Sequence, residues 1–516
     1  MGLKYPIGEQ DFQSIREKNK VYVDKTRIIF DLSHHSKYIF LSRPRRFGKS
    51  LLLSTLKAYF EGRKELFKGL AIEDIEKEWR VHPVLHLSLS STNTSLKGSL
   101  GTILEEQFSV WENLYGITEI LPDFSARFRR IIREATEQTG EKIVILIDEY
   151  DNPLIDTLHR DEIHESNKEL LKSIYSNLKD MDEYIRFAML TGVSRFSRAG
   201  IFSGLNNLND ISFDNRYSAI CGFTEDEIKK FLWPGVEELA LRYNETPEGA
   251  LALLKREYDG YHFSEELIDI YNPFSLLNAL DFHRIENYWV QSGTPEFLAR
   301  HLELSEDAFS ELFNEEADTT DLMSEDTVFN SPVALLYQTG YLTIKSFDLK
   351  KNLYKLGIPN KEVREGLFSY LLSDSLQKDR RKAIRETEKL RELLESGKPE
   401  EFLERMKTVM AGIPYRLTSK APEIYFENNL YVMLQLMGLE VKAEEETSFG
   451  RIDLTVKTKK YIYIIEIKAD KSAGEALRQI EEKEYALKYT GEGRKIFCIG
   501  ISFSSKKRNI EEYKII

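Results

Sequence analysis

The stretch that most constrains the fold is an apolar run that stops at a turn, where a helical pattern then begins. The run is Tyr38-Ile39-Phe40-Leu41, the turn is Ser42-Arg43-Pro44-Arg45-Arg46-Phe47, and the helical pattern opens with Gly48-Lys49-Ser50-Leu51. A phosphate-binding loop requires this order of strand, loop and helix, because backbone N–H groups and the positive end of the helix face the phosphates. The sequence therefore predicts a nucleotide-binding α/β domain.

The loop carries the residue types that ATP and Mg²⁺ need. Lys49 is expected to reach the β- and γ-phosphates, and Ser50 is expected to hold Mg²⁺. The residues of the loop expected to contact ATP are consecutive: Arg45, Arg46, Phe47, Gly48, Lys49, Ser50 and Leu51. The motif usually opens with glycine, whereas Arg43 stands five residues before Gly48 in this sequence. With Pro44 beside it, the loop should be stiffer and more basic than usual.

A second buried run, Ile143-Val144-Ile145-Leu146-Ile147, leads into Asp148 and Glu149. Parallel sheets contain strands that are buried on both faces, and they bind ligands at the carboxyl edge. Asp148 is expected to hold the Mg²⁺ water shell, and Glu149 to orient or deprotonate the attacking water. Alone, the run is equally typical of a buried strand that ends in a solvated turn. Its place downstream of the loop favours the nucleotide site.

Three further runs are typical of strands: 83–89, 185–190 and 216–220. Together with the first two runs they predict a doubly wound five-stranded sheet in residues 1–222. Ser194 and Arg195 follow the run 185–190 and are expected to sense the γ-phosphate or stabilise its charge. A basic surface loop is the alternative for this segment.

The middle of the chain is expected to be helical. Residues 223–330 are predicted as a lid region and 331–415 as a connector in which a helix and a hairpin form a winged-helix-like unit. Thr224 and Glu227 are spaced as a capping box, and Pro273 follows Asn272 as at the first turn of a helix. The aromatic turn 258–263 is either a lid on the nucleotide or a hydrophobic corner. The polar run 376–409 is expected to be a solvated connector.

The last hundred residues contain a second group of charged side chains. Asp453 lies on one predicted strand, and Glu466 and Lys468 project from the same face of the next, since residues two apart on a strand point the same way. Such a pair of acids can hold Mg²⁺ for phosphodiester hydrolysis, with Lys468 acting on the attacking water. The alternative is a structural ion pair between Glu466 and Lys468. Three more residues are expected to assist: Glu427 as a metal ligand, and Gln479 and Tyr485, on a predicted helix 473–489, as contacts to nucleic acid.

Composition limits the class of protein. The net charge is -13, which removes any argument for nucleic-acid binding from overall basicity. The two cysteines, Cys221 and Cys498, are far apart and form no Cys-x-x-Cys motif, as expected in a reducing compartment. No apolar run approaches the length of a membrane span, and the N-terminus lacks the apolar core of a signal peptide. A cytoplasmic protein without a membrane partner is therefore expected.

Both ends of the sequence resemble known families. Ser42 to Ser50 read Ser-Arg-Pro-Arg-Arg-Phe-Gly-Lys-Ser, and together with Leu146 to Asp151 and Thr191 to Ser197 they resemble the AAA-ATPase-like family of bacterial proteins. Gly450-Arg451-Ile452-Asp453, Glu466-Ile467-Lys468, Gln479 and Tyr485 resemble the PD-(D/E)XK nuclease superfamily. The first resemblance implies an ATP-binding fold close to AAA and STAND switch ATPases in residues 1–222. The second implies a nuclease-like α/β domain in residues 416–516.

The two resemblances together imply an ATPase that controls a Mg²⁺-dependent nuclease. Its cofactors would be ATP and Mg²⁺, its partner nucleic acid, with DNA as the first expectation, and a homo-oligomer stays an open alternative to a monomer. A second hypothesis is a nucleotide-dependent switch whose C-terminal domain binds nucleic acid or a partner without cleaving it. A third, an interaction protein in which both sites are vestigial, is disfavoured because both sites keep their acids and lysines.

Overall fold

A computed structural model describes most of the chain. The described residues are 3–89, 96–119, 121–158, 160–194, 207–291, 316–318, 322, 332–367, 380–411, 430–431, 433–434, 437–447, 450–507 and 509–516. They form two compact units, of which the first holds 3–289 and 316–360 and the second holds 290–291 and the residues from 361 on. This division is coarser than the four expected domains, whose boundaries remain a prediction. Within the described ranges, no helix has both the length and the apolar character needed to span a bilayer.

The first unit is built around a parallel sheet. Its strands are β1 (Tyr38–Ser42), β2 (Val84–Ser88), β3 (Ile143–Asp148), β4 (Ile185–Gly192) and β5 (Asn209–Asp210). Their order is β2-β3-β4-β1-β5, with every neighbouring pair parallel. Ser42 lies opposite Gly192, and Ser88 lies opposite Asp148. The segments that follow β1, β3 and β4 therefore leave the sheet from one edge, where parallel sheets bind ligands.

Both faces of this sheet are covered, as the apolar strands predict. All residues of β1 and β3 are buried. The helices of this region are α1 (Phe12–Glu17), α2 (Thr26–His35), α3 (Lys49–Phe60), α4 (Ile72–Ile75), α5 (Ser99–Leu114), α6 (Phe124–Thr139), α7 (Asn152–Ile155), α8 (Asp161–Tyr175) and α9 (Asn177–Asp180), with short 3₁₀ helices at Lys64–Phe67, Asp182–Tyr184 and Asn215–Tyr217. The helix expected directly after the phosphate loop is α3, which confirms the order of strand, loop and helix.

The fifth strand is not where the sequence predicts it. The run 216–220 is not a strand, because its start lies in the 3₁₀ helix Asn215–Tyr217. Asp214 caps that helix by accepting a hydrogen bond from the Arg216 N–H at 3.0 Å. The strand beside β1 is instead β5, which is only two residues long.

The chain after the sheet is helical, as expected. Its helices are α10 (Glu225–Glu227), α11 (Trp233–Tyr243), α12 (Pro247–Tyr258), α13 (Pro273–Phe282), α14 (Tyr288–Gln291) and α15 (Pro332–Thr339), with a π-helical turn at Ile228–Leu232. The predicted capping box is confirmed, since the Thr224 hydroxyl accepts from the Glu227 N–H and the Glu227 carboxylate accepts from the Thr224 N–H. The predicted helix start at Pro273 is also confirmed, because the Asn272 side chain accepts from the Ser275 N–H.

A small antiparallel sheet follows these helices in the first unit. Its strands are β6 (Glu316–Asp318), β7 (Thr343–Asp348) and β8 (Leu353–Gly357), in the order β6-β8-β7. Helix α15 and the β7–β8 hairpin match the expected helix and hairpin. Residues 368–373, part of the segment 362–373 expected to complete this unit, lie outside the described residues, so the winged-helix arrangement stays a prediction.

The second unit is built around a mixed sheet. Its strands are β9 (Glu440–Thr447), β10 (Gly450–Lys457), β11 (Tyr461–Ala469), β12 (Lys495–Ser504) and β13 (Asn509–Ile515), and its helices are α16 (Arg380–Glu395), α17 (Pro399–Met410) and α18 (Ala473–Glu482), with a 3₁₀ helix at Tyr485–Glu492. The order is β13-β12-β11-β10-β9, in which only β11 and β12 pair in parallel. A hairpin of β10 and β11 therefore forms the centre of the sheet.

Two expectations about helices in this unit need correction. From residue 380 on, the run 376–409 lies in α16 and α17, which bury Leu394 and Phe402. The Leu394 carbonyl accepts a hydrogen bond from the Tyr463 hydroxyl of β11. This run is therefore packed on the sheet and is not a solvated connector. The predicted helix 473–489 ends at Glu482, since Glu484 adopts a left-handed backbone with φ of 48°.

Candidate functional site

The side chain of Lys49 is hydrogen-bonded to the start of the phosphate loop that precedes it. Gly48 has φ of 98°, a left-handed conformation that favours glycine, and it directly precedes α3. The Lys49 side chain is buried, and its ammonium donates hydrogen bonds to the carbonyls of Arg43 at 2.9 Å and Pro44 at 3.1 Å. Lys49 thus points into the concave side of the loop, and the start of α3 places Ser50 beside it.

Arg43, which stands where the motif usually has glycine, faces the protein interior. Its guanidinium donates to the carbonyls of Ser42 at 2.9 Å, Ser212 at 2.8 Å and Tyr217 at 3.2 Å. It also lies 4.2 Å from the centre of the Phe263 ring. Arg43 therefore fastens the loop to the segment after β5 and to the aromatic turn. Sequence reasoning missed this role, because all its partners except Ser42 are distant in sequence.

The remaining loop residues are also held by the helical region. Phe47 is buried, with its ring centre 4.8 Å from that of Tyr261. The Trp289 indole donates to the Arg45 carbonyl at 3.1 Å. Arg46 is exposed, and its guanidinium lies 5.0 Å from the centre of the Phe274 ring. The packing of Tyr261 on Phe47 supports the hydrophobic-corner interpretation of the turn 258–263.

The predicted acids lie at the same edge of the sheet. Asp148 ends β3, is 3% exposed, and accepts a hydrogen bond from the Thr191 hydroxyl at 2.7 Å. Burial raises the pKa of Glu149, while the charge of Lys49 acts to lower it. Ser194 is buried at the exit of β4. Arg195 lies outside the described residues, so its role stays a prediction. The structure thus brings Asp148, Glu149 and Ser194 to the edge from which the phosphate loop leaves.

The structure brings three of the residues predicted for the C-terminal site, Asp453, Glu466 and Lys468, close together. Leu454 lies opposite Ile465 in the β10–β11 hairpin, which places Asp453 opposite Glu466. The Asp453 carboxylate accepts from the Ile467 N–H at 2.8 Å. The Lys468 ammonium donates to Glu466 Oε1 at 3.0 Å, and the Gln479 amide of α18 donates to the same oxygen.

The electrostatics of Glu466 are those of a carboxylate suited to a cation. Glu466 is 0% exposed, and burial raises the pKa of its carboxyl to about 7, with the neighbouring Asp453 charge acting in the same direction. Among the described residues, nothing donates a hydrogen bond to Glu466 Oε2, although that atom is buried. An orphaned carboxylate oxygen beside a second carboxylate fits a divalent metal such as Mg²⁺, which prefers oxygen ligands.

Two other predicted residues are not brought to Glu466. The Tyr485 hydroxyl donates to the Arg451 carbonyl at 2.8 Å, and its ring is buried in the core beside Ile452 and Ile480. Its contact with nucleic acid is therefore an untested prediction, and the bond it makes here is structural. Glu427 lies outside the described residues. Among those that are described, no group of three or more His, Cys, Asp and Glu is placed to hold a metal.

Comparisons with known proteins match both ends of the chain. Residues 6–202 match a family model described as "Predicted AAA-ATPase", and residues 421–513 match one described as "PD-(D/E)XK nuclease superfamily". The chain is 37% identical over 517 residues to an uncharacterized protein in the vnfD 5′ region of Azotobacter chroococcum mcd 1, and the match covers 98% of both chains. The two family matches confirm the resemblance found in the sequence at each end of the chain.

A solved structure shows only a distant likeness. The Aeropyrum pernix ORC2 protein, determined in ADPNP and ADP complexes, is 11% identical with a TM-score of 0.24, and the match covers 65% of this chain and 87% of that chain.

Proposed function

Because the chain belongs to the family of predicted AAA-ATPases that carry a C-terminal PD-(D/E)XK nuclease superfamily domain, we propose that it hydrolyses ATP to control Mg²⁺-dependent cleavage of nucleic acid, with DNA as the first candidate. The observation that carries the proposal is the convergence of Asp453, Glu466, Lys468 and Gln479. Those four side chains come from two strands and a helix, and within the described part of the chain they leave one buried carboxylate oxygen without a hydrogen-bond donor.

At the phosphate loop, binding of ATP requires Lys49 to exchange its carbonyl partners for phosphate oxygens. Lys49 now donates to the carbonyls of Arg43 and Pro44, so the loop is already shaped around a cation. Ser50 and Asp148 would hold Mg²⁺, which when bound neutralises phosphate charge. Burial raises the pKa of Glu149 toward the working pH, which suits the residue to accept a proton from the attacking water.

At the C-terminal site, Asp453 and Glu466 would hold Mg²⁺, which when bound lowers the pKa of a ligated water and polarises the scissile phosphate. Lys468 and Gln479 both donate to Glu466 Oε1, which fixes the carboxylate and directs Oε2 away from them. Lys468 also places a positive charge beside the site, where it can stabilise the negative charge that develops on a phosphate during attack.

A second candidate function is a nucleotide-dependent switch that binds nucleic acid or a partner without cleaving it. The observation that favours this candidate is the small number of metal ligands in the described part of the chain, where two carboxylates converge and no third acid or histidine joins them. Binding of one divalent ion by two carboxylates is common when substrate phosphates complete the shell. Both candidate functions therefore allow a divalent ion to bind at this site, and only the first predicts cleavage of nucleic acid.

The experiment that separates them is a cleavage assay on the full chain. Single-stranded DNA, duplex DNA and RNA are incubated with Mg²⁺ or Mn²⁺, with and without ATP. Cleavage that ATP changes and that Asp453→Ala abolishes is the expected result. Glu481→Ala, which changes an exposed acid on α18, is the matched control and should cleave normally. If every substrate stays intact with either metal, the nuclease proposal fails and the switch remains.

A further inference from the structure

The exit of β4 is bonded to the start of the phosphate loop. The Ser42 hydroxyl donates to the Val193 carbonyl at 2.7 Å, and the Arg43 N–H donates to the Gly192 carbonyl at 3.2 Å. These bonds continue the pairing of β1 and β4 beyond their last paired residues. A shift of the segment 191–194 would therefore act directly on the loop that carries Lys49.

The opposite side of the same segment is held by the residues that follow β3. One carboxylate oxygen of Asp151 accepts three hydrogen bonds, from the Val193 N–H at 3.0 Å, the Ser194 N–H at 2.6 Å and the Ser194 hydroxyl at 2.7 Å. The Tyr150 hydroxyl donates to the Ser194 carbonyl at 3.0 Å. Both polar backbone groups of Ser194 and its side chain are thus bonded to two consecutive residues.

Asp151 is buried at a position where an ionised carboxylate destabilises the fold unless it accepts hydrogen bonds. It is 1% exposed, and burial raises its pKa, while the bonds from Ser194 and the charge of Lys49 act in the opposite direction. Gly192 leaves no room for a side chain in this contact, since an added Cβ would lie 2.6 Å from Asp151 Oδ1 and 2.6 Å from the Tyr150 ring. A buried carboxylate with three donors on one oxygen rigidly defines the position of the groups that donate to it.

The hydroxyl of Ser194 already donates its hydrogen bond within this arrangement. Because it donates its proton to Asp151, its oxygen can only accept a hydrogen bond from other groups. A phosphate oxygen is itself an acceptor, so Ser194 cannot donate to the γ-phosphate while this bond is present. The contribution of Ser194 is therefore the position of the backbone at the exit of β4.

We propose that Asp151 is a positioning residue for ATP hydrolysis, which holds the Val193–Ser194 turn between the acids after β3 and the phosphate loop. This inference rests on the proposed ATPase function. The bonds of the Asp151 carboxylate run to Val193 and Ser194, so its effect on turnover passes through the segment 191–194. Loss of the carboxylate lets this segment move relative to Asp148, which Thr191 holds through its hydroxyl.

The test compares turnover with nucleotide affinity in the full chain. Asp151→Ala is expected to lower kcat for ATP about tenfold or more, because small displacements of a catalytic arrangement are costly. The affinity for a non-hydrolysable ATP analogue, measured by calorimetry, should change less than about threefold, since the loop lysine and backbone remain. Asp151→Asn keeps an acceptor oxygen and should recover part of the lost kcat. Asp161→Ala, at an exposed position of α8, is the control.

A double variant decides whether Asp151 acts through Ser194. If both belong to one bonded unit, Asp151→Ala combined with Ser194→Ala should be no slower than Asp151→Ala alone. Effects that multiply, or an Asp151→Ala kcat equal to wild type, overturn the inference while leaving the ATPase intact. Should Asp151→Ala fail to fold, as shown by its melting curve, Asp151→Asn and Ser194→Ala make the same comparison. A wild-type chain that does not hydrolyse ATP overturns the proposed function and this inference with it.

Discussion

Replacement of Asp259 by asparagine should make the first unit more stable at neutral pH. Asp259 follows α12 in the aromatic turn 258–263, is 2% exposed, and has the Lys255 ammonium 3.4 Å away. Burial raises the pKa of its carboxyl from the usual 3.8 to about 6, and the difference of about 2.2 in pKa corresponds to about 3 kcal/mol. The ionised form of Asp259 therefore destabilises the folded protein.

The sign of the pH dependence follows from proton binding. Between about pH 4 and pH 6 the folded chain binds more protons at Asp259 than the unfolded chain does, so the free energy of unfolding falls as pH rises through this window. Above about pH 6 the folded protein bears the full free-energy cost of the buried Asp259 charge, and below about pH 4 this cost is absent. Asp259→Asn cannot ionise, so its advantage over wild type should be about 3 kcal/mol at pH 7.5 and should vanish near pH 3.5.

Urea unfolding followed by tryptophan fluorescence measures this difference. All four tryptophans, Trp79, Trp111, Trp233 and Trp289, belong to the first unit, so the signal reports on the unit that contains Asp259. Asp281→Asn, at an exposed position of α13, is the matched control and should leave the pH dependence unchanged. Equal stability of Asp259→Asn and wild type at pH 7.5 would refute the argument from burial, as would an advantage that grows on acidification.

The remaining predictions concern the two sites. Lys49→Ala should lose ATP binding in calorimetry without a change in the melting temperature of more than a few degrees, whereas Lys57→Ala on the same helix should bind normally. Glu149→Gln should bind ATP and release phosphate about 10²-fold more slowly, as expected when a general base is removed. Lys468→Ala should abolish Mg²⁺-dependent cleavage, and Lys460→Ala, in the exposed turn after β10, should not. Normal cleavage by Lys468→Ala would exclude its proposed role at the phosphate.

Sequence patterns predicted the long strands and missed the short one. Strands β1, β3 and β4 consist mostly of buried apolar residues, and a largely apolar run is visible without any knowledge of the fold. Strand β5 consists of only two polar residues, which are too few to show the alternation of polar and apolar residues that marks a strand. The run 216–220 begins with alternating polar and apolar residues as a strand does, but Asp214 and the contacts of Tyr217 place its start in a helical turn. Tertiary structure overrides propensity at that position.

The candidate sites were predictable where their residues come from short motifs. Asp453, Glu466 and Lys468 meet because a hairpin fixes the register of two neighbouring strands, and the sequence indicates that hairpin. The bonds of Asp151 to Ser194 and of Thr191 to Asp148 join residues more than 40 positions apart, and no local pattern predicts them. The aromatic contacts of Phe47 with the turn 258–263 belong to the same class. Motifs therefore indicate the candidate residues, and long-range packing determines how those residues are held.

Arg43 holds the predicted phosphate loop in place at the position where the motif usually has glycine. Its carbonyl accepts from Lys49, while its guanidinium is bonded to the carbonyls of Ser212 and Tyr217 and rests on Phe263. If Lys49 turned to a phosphate, as proposed, the carbonyls of Arg43 and Pro44 would lose their donor, and the loop would have to keep its shape without it. A glycine at position 43 would have no side chain to hold the loop in that shape. The arginine fastens the loop to the segment after β5 and to the aromatic turn 258–263 by contacts that do not involve Lys49.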